Sequence, residues 1–316
     1  MPIRVGIKTR YDQILYNLNN LTENIRKLQN QLASGTKFEK PSDNPVDLVR
    51  SLDYRRSLSE IKRYQVSIRE GKSFLRTMEG AYQGLEDIAI RAKELALQAG
   101  NDIMNAENRK AIAQEVDNLL KEALALANTR HGNRYVFGGN RPTNYKNGEK
   151  PFELIKENIQ SDDILERVIY HGGEEDLKYS YAPEGKIIIG QNGNESIIKS
   201  GIFDTLISLK KTLENNNISD SHKEIEDIKI HIDRLEKVFN YLSTKRAELG
   251  TKMDHLELKE NLYNNLKDTI KENLSDTQDV DFLEVITRLK SKEIAYQAAL
   301  SASSKVMQLS LVNFLS

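Results

Sequence analysis

The clearest pattern along the chain is a C-terminal segment that is apolar on nearly every side. From Ile294 to Ser316 the only charged side chain is Lys305, whereas 29% of the whole chain is charged. No Gly or Pro interrupts the segment, which predicts a helix. A helix that is apolar nearly all round must be buried, and one domain usually covers only one face of a terminal helix. We therefore predict that other copies of the chain, or other proteins, cover the rest. The side chains expected to make these contacts are Tyr296, Leu300, Val306, Met307, Leu309, Leu311 and Phe314.

The first helix, predicted over residues 1–34, supplies a partner. Its apolar residues alternate in steps of four and three, which is the spacing of a two-helix coiled-coil seam. The seam residues predicted to take part in assembly are Ile14, Leu18, Leu21, Ile25, Leu28 and Leu32. The simplest pairing sets residues 18–32 against residues 289–311. The alternative is that both segments are ordinary core helices of a bundle.

The C-terminal segment also has the length of a membrane span. Its Gln, Ser and Asn side chains argue against that interpretation. Lys305 lies near its middle, where insertion would cost roughly 2.5 to 3.5 kcal/mol. We expect no membrane span.

Between the two ends the pattern predicts three long helices. Asn44 is suited to cap a helix that begins at Pro45 and runs to Ala99, and a third helix is expected over residues 106–130. A fourth, over residues 220–274, keeps one heptad register with polar interruptions at Arg246, Glu260 and Lys267. Residues 275–281 are predicted to be a hinge before the last helix.

The middle of the chain is rich in turn residues and short β-prone runs. We predict a strand at Tyr135-Val136-Phe137, hairpins within residues 140–200, some helix near 152–166, and a short helix over 201–215.

The predicted fold class is mainly α: a nested antiparallel coiled-coil and helical bundle formed by the N- and C-terminal regions, with a small, mostly β insertion. The predicted domains are a terminal coiled-coil domain (1–40 and 280–316), a helical bundle domain (41–133 and 201–279) and a variable β-rich insertion (134–200).

Composition narrows the possible functions. The net charge is only −1, so no basic surface is indicated and nucleic acid is not an expected partner. The absence of Cys excludes disulfides, thiolate metal sites and Cys nucleophiles. Residues 1–40 contain no continuous apolar stretch of the kind found in a cleavable signal peptide.

Candidate chemistry is sparse. The five histidines have no metal-like spacing, and those on the long helix, His222, His231 and His255, are expected on its polar side. Glu174-Glu175-Asp176 could bind a cation, but such loops are more often simply solvated. Gly138-Gly139 and residues 190–193 do not form a phosphate loop, because neither opens a helix with Lys-Ser or Lys-Thr. We expect no catalytic residue, no metal, no cofactor and no enzyme activity.

Several motifs, in their order along the chain, resemble those of the flagellin-like axial proteins of the bacterial flagellum. Ala33-Ser34-Gly35-Thr36-Lys37, followed by residues 40–45 (Lys-Pro-Ser-Asp-Asn-Pro), is similar to the family's first turn, with Asn44 in place of the usual second Asp. Residues 134–139 (Arg-Tyr-Val-Phe-Gly-Gly) resemble the junction between bundle and insertion, and Gln297-Ala298-Ala299-Leu300 and Val312-Asn313-Phe314-Leu315 resemble the C-terminal helix. The resemblance covers about residues 1–145 and 200–316.

This resemblance, which is strongest to the hook–filament junction members of the family, implies a structural adaptor. Its expected partners are further copies of itself in a ring, another hook-associated protein on the hook side, flagellin on the filament side, and an export chaperone before secretion. Its expected location is the extracellular flagellum, reached by type III export without signal cleavage. It also implies that the termini are disordered in the free monomer.

Two alternatives stay open. The same architecture suits a flagellin that builds the filament itself and polymerises alone. An unrelated coiled-coil tether or cytosolic binding module would be found only in the cytoplasm.

Overall fold

The computed structural model of the chain describes residues 3–38, 40–100, 106–143, 145, 149–160, 163–182, 185–214 and 221–315. Its helices are α1 (Ile3–Ser34), α2 (Pro45–Ala99), α3 (Ala106–Ala127), α4 (Gly193–Ser196), α5 (Ile202–Glu214), α6 (Ser221–Gln278) and α7 (Phe282–Leu315). Its strands are β1 (Arg130–His131), β2 (Arg134–Tyr135), β3 (Phe152–Gln160), β4 (Asp163–Tyr170), β5 (Leu177–Ser180) and β6 (Lys186–Gly190). Long helices with short antiparallel strand pairs in the middle of the chain confirm the predicted fold class.

Helix boundaries follow the local capping chemistry. Asn44 accepts a hydrogen bond on its Oδ1 from the backbone N–H of Asp47 at 3.1 Å, and so satisfies one of the free donors at the start of α2. Asp281 does the same for α7, where the N–H of Glu284 donates to its Oδ1 at 3.1 Å. The predicted cap at Asn44 and the predicted start at Pro45 are confirmed.

Three local predictions are wrong. The described residues within 152–166 hold no helix, because β3 pairs with β4 from Phe152 opposite Tyr170 to Gln160 opposite Asp163, with one register shift between Asn158 and Gln160. Lys156 meets Glu166 across this hairpin at 2.5 Å, an opposite-charge pair that suits antiparallel strands. The predicted strand at 135–137 ends at Tyr135, since Val136 and Phe137 turn inward and are fully buried. The predicted hinge at 275–281 is shorter, because α6 continues to Gln278.

The chain divides into two compact units. Unit 1 comprises residues 1–61 and 264–316, and unit 2 comprises residues 62–263. The three-part domain division predicted above, with boundaries at 40, 133, 200 and 280, stays a prediction.

Unit 2 contains the main hydrophobic core. Parts of α2 and α6 contribute fully buried layers to it, and α3 contacts α5 alongside them. Helix α2 faces α6, with Lys93 Nζ 3.1 Å from Glu236 Oε2. Helix α5 also lies against α6, with Thr212 Oγ1 3.1 Å from His231 Nε2. Among the largest side chains buried in this core are Ile68, Leu75, Met78, Tyr82, Leu85, Leu95, Leu120, Phe137, Phe152, Ile197, Ile202 and Leu206.

The β3–β4 hairpin is fixed to the helices by hydrogen bonds and charge. Asn128, just after α3, donates from Nδ2 to the Phe152 carbonyl at 2.9 Å and accepts on Oδ1 from the Phe152 N–H at 3.1 Å. Lys210 of α5 places its Nζ 2.8 Å from Asp117 of α3 and 3.2 Å from Glu166 of β4. One ammonium group therefore joins three elements, and only 11% of the Lys210 side chain is exposed.

The Gly138-Gly139 pair lies where loops cross closely. Gly139 has φ +59°, and a Cβ placed there would lie 2.3 Å from the Gly173 carbonyl oxygen and 2.7 Å from that of Glu175. No side chain fits such a gap between backbone atoms. The final Gly-Gly of the Arg-Tyr-Val-Phe-Gly-Gly stretch is thus required by packing of the middle loops.

Replacing Lys210 with Met should lower the free energy of unfolding of unit 2 by about 3 kcal/mol at pH 7, because it leaves two poorly exposed carboxylates without their shared partner. Urea unfolding followed by circular dichroism measures this. The matched control is Lys121→Met. Lys121 pairs with the same Asp117 at 2.7 Å, but 67% of its side chain is exposed, so the expected loss is below about 1 kcal/mol.

The effect of Lys210 should depend on pH. Burial alone would raise the pKa of Asp117 and that of Glu166. Hydrogen bonds from lysines outweigh this effect: Asp117 accepts from Lys121 and Lys210, and Glu166 accepts from Lys156 and Lys210. Both pKa values are therefore held below their ordinary values of 3.8 and 4.5. A lowered carboxyl pKa stabilises the fold above the ordinary value, and that stability is lost as pH falls through the folded-state pKa. The difference between the parent and Lys210→Met should therefore shrink below about pH 4; a difference that stays constant down to pH 2 would contradict this assignment.

Candidate assembly surface on the terminal helices

The two terminal helices of unit 1, α1 and α7, lie against each other. A short joint sets their direction: Thr36, after α1, forms an antiparallel bridge with Asp279, before α7. The Lys37 N–H donates to the Gln278 carbonyl at 2.7 Å, and the Val280 N–H donates to the Gly35 carbonyl at 3.1 Å. Because the end of α1 is held beside the start of α7, the two helices run antiparallel from this joint.

The joint also fixes the register of the pair. With the same rise per residue in both helices, Leu32 lies beside the first turn of α7, and Leu18 lies beside residues near about 298. The pairing therefore begins earlier on α7 than the predicted Leu289. Gly35 makes the joint possible, since its φ of +71° ends α1 in the left-handed conformation expected of a helix stop.

The predicted seam on α1 is only partly covered. Every one of its six predicted assembly residues is half-buried, and none is fully buried: Ile14, Leu18, Leu21, Ile25, Leu28 and Leu32. One partner helix covers one side of such a seam and leaves the flanks open. Near the middle of α1 this leaves Tyr16 64% exposed and Leu15 41% exposed.

Helix α7 has two apolar faces. Val285 is buried, and Leu289 and Tyr296 are half-buried on the side toward α1. Another side is open to solvent and lines a shallow groove along Ile286, Thr287, Lys290, Ser291 and Ile294. The exposed large apolar side chains of α7 are Phe282, Leu283, Ile286, Ile294 and Leu300.

Of the remaining predicted assembly residues, the structure describes the side chains of two. Tyr296 is half-buried and Leu300 is 44% exposed. The side chains of Val306, Met307, Leu309, Leu311 and Phe314 lie outside those that the structure describes. Their role in assembly stays a prediction.

Two further stripes of exposed apolar side chains were not predicted from the sequence. Val46, Val49 and Leu52 follow one another at steps of three on the first turns of α2, each more than half exposed. On α6, three leucines outside the heptad register, Leu258, Leu262 and Leu266, follow at steps of four. The regular spacing of each set was the available signal, but the stronger heptad pattern on the same helices obscured it.

Unit 1 has little core of its own among the residues that the structure describes. Its fully buried apolar side chains there are Phe38, Ile61, Val280 and Val285. Unit 2, by contrast, buries apolar residues on every one of its long helices. The terminal part of the chain therefore exposes much of the apolar surface that it carries.

Charges do not dominate this surface. Glu23 and Arg26 pair at 2.6 Å on α1, and Glu284 and Arg288 pair at 2.6 Å on α7. The hydrogen bond from Arg26 lowers the pKa of the Glu23 carboxyl. Exposed pairs within one helix add little to stability, which leaves the uncovered apolar side chains as the main feature of the surface.

The histidines that the structure describes take part in hydrogen bonds and ring packing. His231 is buried, which corrects its predicted place on the polar side of the long helix; α5 covers it, and Thr212 Oγ1 lies 3.1 Å from its Nε2. Burial, assisted by the charge of Arg234, lowers the pKa of His231. His131 Nδ1 lies 2.9 Å from Thr77 Oγ1, and the His255 ring stacks edge-on with Tyr181. The His222 side chain falls outside the described residues.

No metal-binding group of three or more His, Asp or Glu side chains occurs in the part of the chain that the structure describes. Glu174, Glu175 and Asp176 line an open, acidic groove with Asn192 and Glu195. Asp176 is already engaged there, because its Oδ1 accepts from the Asn192 N–H at 2.8 Å. Over the same described ranges, none of the helices has both the length and the apolarity needed to cross a membrane.

Two family models match the chain. The bacterial flagellin N-terminal helical region matches residues 8–141, and the bacterial flagellin C-terminal helical region matches residues 232–315. Between the two matches lie β3 to β6 and α5. The helices at both ends of the chain are thus those of the flagellin-like pattern.

Similar proteins cover nearly the whole chain. Flagellar hook-associated protein 3 of Salmonella typhimurium is 25% identical over 96% of this chain and 95% of its own length. Flagellin A of Vibrio anguillarum is 24% identical over 92% of this chain and 93% of its own. Among solved structures, the flagellar junction protein FlgL of Legionella pneumophila shares the fold, with a TM-score of 0.58 at 15% identity over 72% of this chain and 99% of its own.

A pair of aspartate substitutions on α7 separates its covered side from its open side. Val285→Asp places a carboxylate at a site that is 7% exposed, which should cost about 3 kcal/mol and detach α7 from α1. Leu283→Asp, at a site that is 76% exposed, should have almost no effect. Limited proteolysis of the purified monomer measures this as faster cleavage within α1 in the first variant only. Equal cleavage rates would show that α1 and α7 do not stabilise each other.

Proposed function

We propose, from the premise that this chain belongs to the flagellin-like family of bacterial flagellar proteins, that it is a structural adaptor subunit joining hook-associated proteins to the flagellin filament. The premise rests on the matches at both ends of the chain and on similarity to hook-associated protein 3 along almost its full length. The proposed mechanism is polymerisation through the terminal helices.

The observation that carries the proposal is the uncovered apolar surface of unit 1. A free protein gains nothing by exposing regular apolar stripes on α1, α2 and α7, and such surfaces typically mark contacts with other proteins. The predicted assembly residues of α1 are half-buried rather than buried, which leaves them room for a second contact.

The size of the effect supports assembly. Covering the exposed part of about ten such side chains, at roughly 1 kcal/mol each, would contribute about 10 kcal/mol per subunit. Association itself costs an estimated 4 to 15 kcal/mol. A single contact is therefore weak, whereas a subunit with neighbours on several sides is held firmly. This is the behaviour expected of a protein that stays monomeric until it reaches a growing structure.

The proposed partners follow from that role. Further copies of the chain would form a ring, another hook-associated protein would contact it on the hook side, and flagellin would contact it on the filament side. An export chaperone would cover the apolar C-terminal segment beforehand, with Val306, Met307, Leu309, Leu311 and Phe314 as its candidate contacts. The proposed location is the extracellular flagellum, after type III export without a cleaved signal peptide.

We also propose that the chain is not an enzyme. The relatives that it resembles along its length are structural proteins of the flagellum by name. Its described histidines serve packing and hydrogen bonding, and its acidic groove is open.

A second candidate function is that of a filament-forming flagellin. It is favoured by the similarity to Flagellin A, whose coverage is nearly as complete as that of hook-associated protein 3. The two functions differ in self-assembly. Long filaments formed from the pure protein would favour a flagellin, and a protein that stays monomeric alone favours the junction adaptor.

Aspartate substitutions on the open side of α7 test the proposed role in cells. In a strain lacking the native gene, a copy carrying Ile286→Asp and Ile294→Asp should give hooks without filaments and flagellin released into the medium. The reason is that both residues are exposed in the single chain, at 52% and 58%, and both line the open groove of α7, so the changes remove intermolecular contacts while the fold of unit 2 stays intact. Electron microscopy of the cells and analysis of the medium provide the measurement.

The matched control is Leu97→Asp, which alters a side chain of unit 2 that is 56% exposed. Cells with this variant should bear normal filaments. If the α7 variant also supports normal filaments, the terminal helices are not the assembly surface.

A further inference from the structure

The long helices α2 and α6 meet within unit 2 through apolar layers that repeat every seven residues. On α6 the fully buried members of this repeat are Ile228, Leu235, Leu242, Leu249 and Leu256. On α2 they are Ile68, Leu75, Tyr82, Ala89 and Ala96. Sliding one helix by seven residues places an apolar layer opposite an apolar layer again. Apolar packing therefore separates the possible registers only weakly.

Two ion pairs interrupt these layers. Lys72 Nζ lies 3.0 Å from Glu260 Oε2, and 14% and 24% of the two side chains are exposed. Glu86 Oε1 lies 3.1 Å from Arg246 Nε, and 5% of the Glu86 side chain and 36% of the Arg246 side chain are exposed. Arg246 and Glu260 are two of the polar interruptions noted in the heptad pattern of α6, so each has an oppositely charged partner on α2.

The spacing of the two pairs is the same on both helices. Lys72 and Glu86 are two heptads apart, and so are Arg246 and Glu260. The sign changes along each helix: α2 carries a cation and then an anion, and α6 does likewise. Because the helices are antiparallel, both cations face an anion at the same time only in the observed register.

A slip of one heptad breaks both pairs. In one direction Lys72 would face Met253 and Glu86 would face Phe239, so both would lose their partners, although Arg246 would gain Glu79. In the other direction Lys72 would face Lys267, and Glu86 would face Met253. Either slip leaves charges buried without a partner, or beside a like charge, which is strongly unfavourable.

A slip of two heptads is no better. It would bring Lys72 opposite Arg246, or Glu86 opposite Glu260. Like charges would then face each other at positions that are poorly exposed. The alternation of sign thus penalises every slip that the apolar repeat would otherwise allow.

A slip of α6 would also break hydrogen bonds to other elements, including the one between Thr212 Oγ1 and Nε2 of the buried His231, which are 3.1 Å apart. Tyr181 Oη lies 3.3 Å from His255 Nε2, and Tyr241 donates to the Glu195 carbonyl at 2.5 Å. Both are partly open to solvent, so water can replace them at small cost. A buried charge that loses its partner is several times more costly. Burial raises the pKa of the Glu86 carboxyl, and the positive charge of Arg246 opposes that rise. Arg246 therefore favours the ionised form of Glu86.

We propose that the Lys72–Glu260 and Glu86–Arg246 pairs act together as a register lock, which selects one alignment of α2 and α6 among those that the heptad repeat allows. The lock specifies the alignment more than it adds to stability. Replacing buried ion pairs with apolar residues is often neutral or stabilising, whereas a polar residue in a seam is a known means of fixing register.

Cysteine cross-linking tests the lock directly, because the chain contains no Cys. A short thiol-specific cross-linker reports the observed register through Lys93→Cys with Glu236→Cys, whose native side chains meet at 3.1 Å. Two further pairs report slips of one heptad: Lys93→Cys with Lys229→Cys, and Lys93→Cys with Ser243→Cys. In the parent protein only the first pair should cross-link.

The variant to test replaces all four charges with Leu (Lys72→Leu, Glu86→Leu, Arg246→Leu and Glu260→Leu). We expect its midpoint of urea unfolding to be unchanged or higher. We also expect a slip reporter to cross-link with a yield comparable to that of the native pair. Exclusive cross-linking at 236 in this variant would overturn the proposal. The matched control replaces an ion pair that lies within α6 alone, Lys245→Leu with Glu248→Leu, and should cross-link only in the native register.

A charge exchange decides the question if the four-leucine variant does not fold. Glu86→Arg alone should destabilise the protein, and adding Arg246→Glu should restore most of the lost stability in urea unfolding while keeping the native cross-link. Absence of that rescue would show that the two residues do not specify each other and would overturn the lock.

Discussion

An α-helix that is apolar on more than one side cannot be covered by a single partner helix. This constraint governs the terminal part of the chain. Helices α1 and α7 satisfy each other along one seam, where Val285 is buried and the predicted α1 seam residues are half-buried. What remains uncovered, including Ile286 and Ile294 of α7, has no counterpart within the described part of unit 1. The free chain therefore leaves apolar surface exposed to water, and neighbouring molecules can cover it.

Unit 2, by contrast, covers many of its own apolar side chains. Its helices and hairpins cover one another, so that Phe152 of a strand, Phe137 of a turn and Tyr82 of a helix share one core. Polar contacts connect these elements: Lys210 joins α3, α5 and β4, and the Lys72–Glu260 and Glu86–Arg246 pairs join α2 to α6. A self-sufficient unit 2 allows unit 1 to leave apolar surface open without loss of the whole fold.

Much of the helical plan could be predicted because the signals are local and repeated. The cap at Asn44, the stop at Gly35 and the heptads of α1 and α6 each rest on a few neighbouring residues. The errors arose where contacts between separate elements decide the structure. Residues 152–160 form a strand because residues 163–170 pair with them, and His231 is buried because α5 covers it.

The candidate assembly surface was predictable only in part for a related reason. Sequence periodicity identified the seam that α1 presents to α7, but it did not separate covered from open residues on the same helix. The stripes at Val46–Leu52 and Leu258–Leu266 became evident only from their exposure. Partner identity depends on surfaces of other molecules, which a single chain does not contain.

The central claim is that the terminal helices are poorly covered until neighbours surround them. Amide hydrogen exchange of the purified monomer, read by mass spectrometry, tests it most directly. We expect α1 and α7 to exchange much faster than the parts of α2 and α6 within unit 2, and to become protected in assembled flagella. Protection of α1 and α7 in the monomer equal to that of unit 2 would contradict the account.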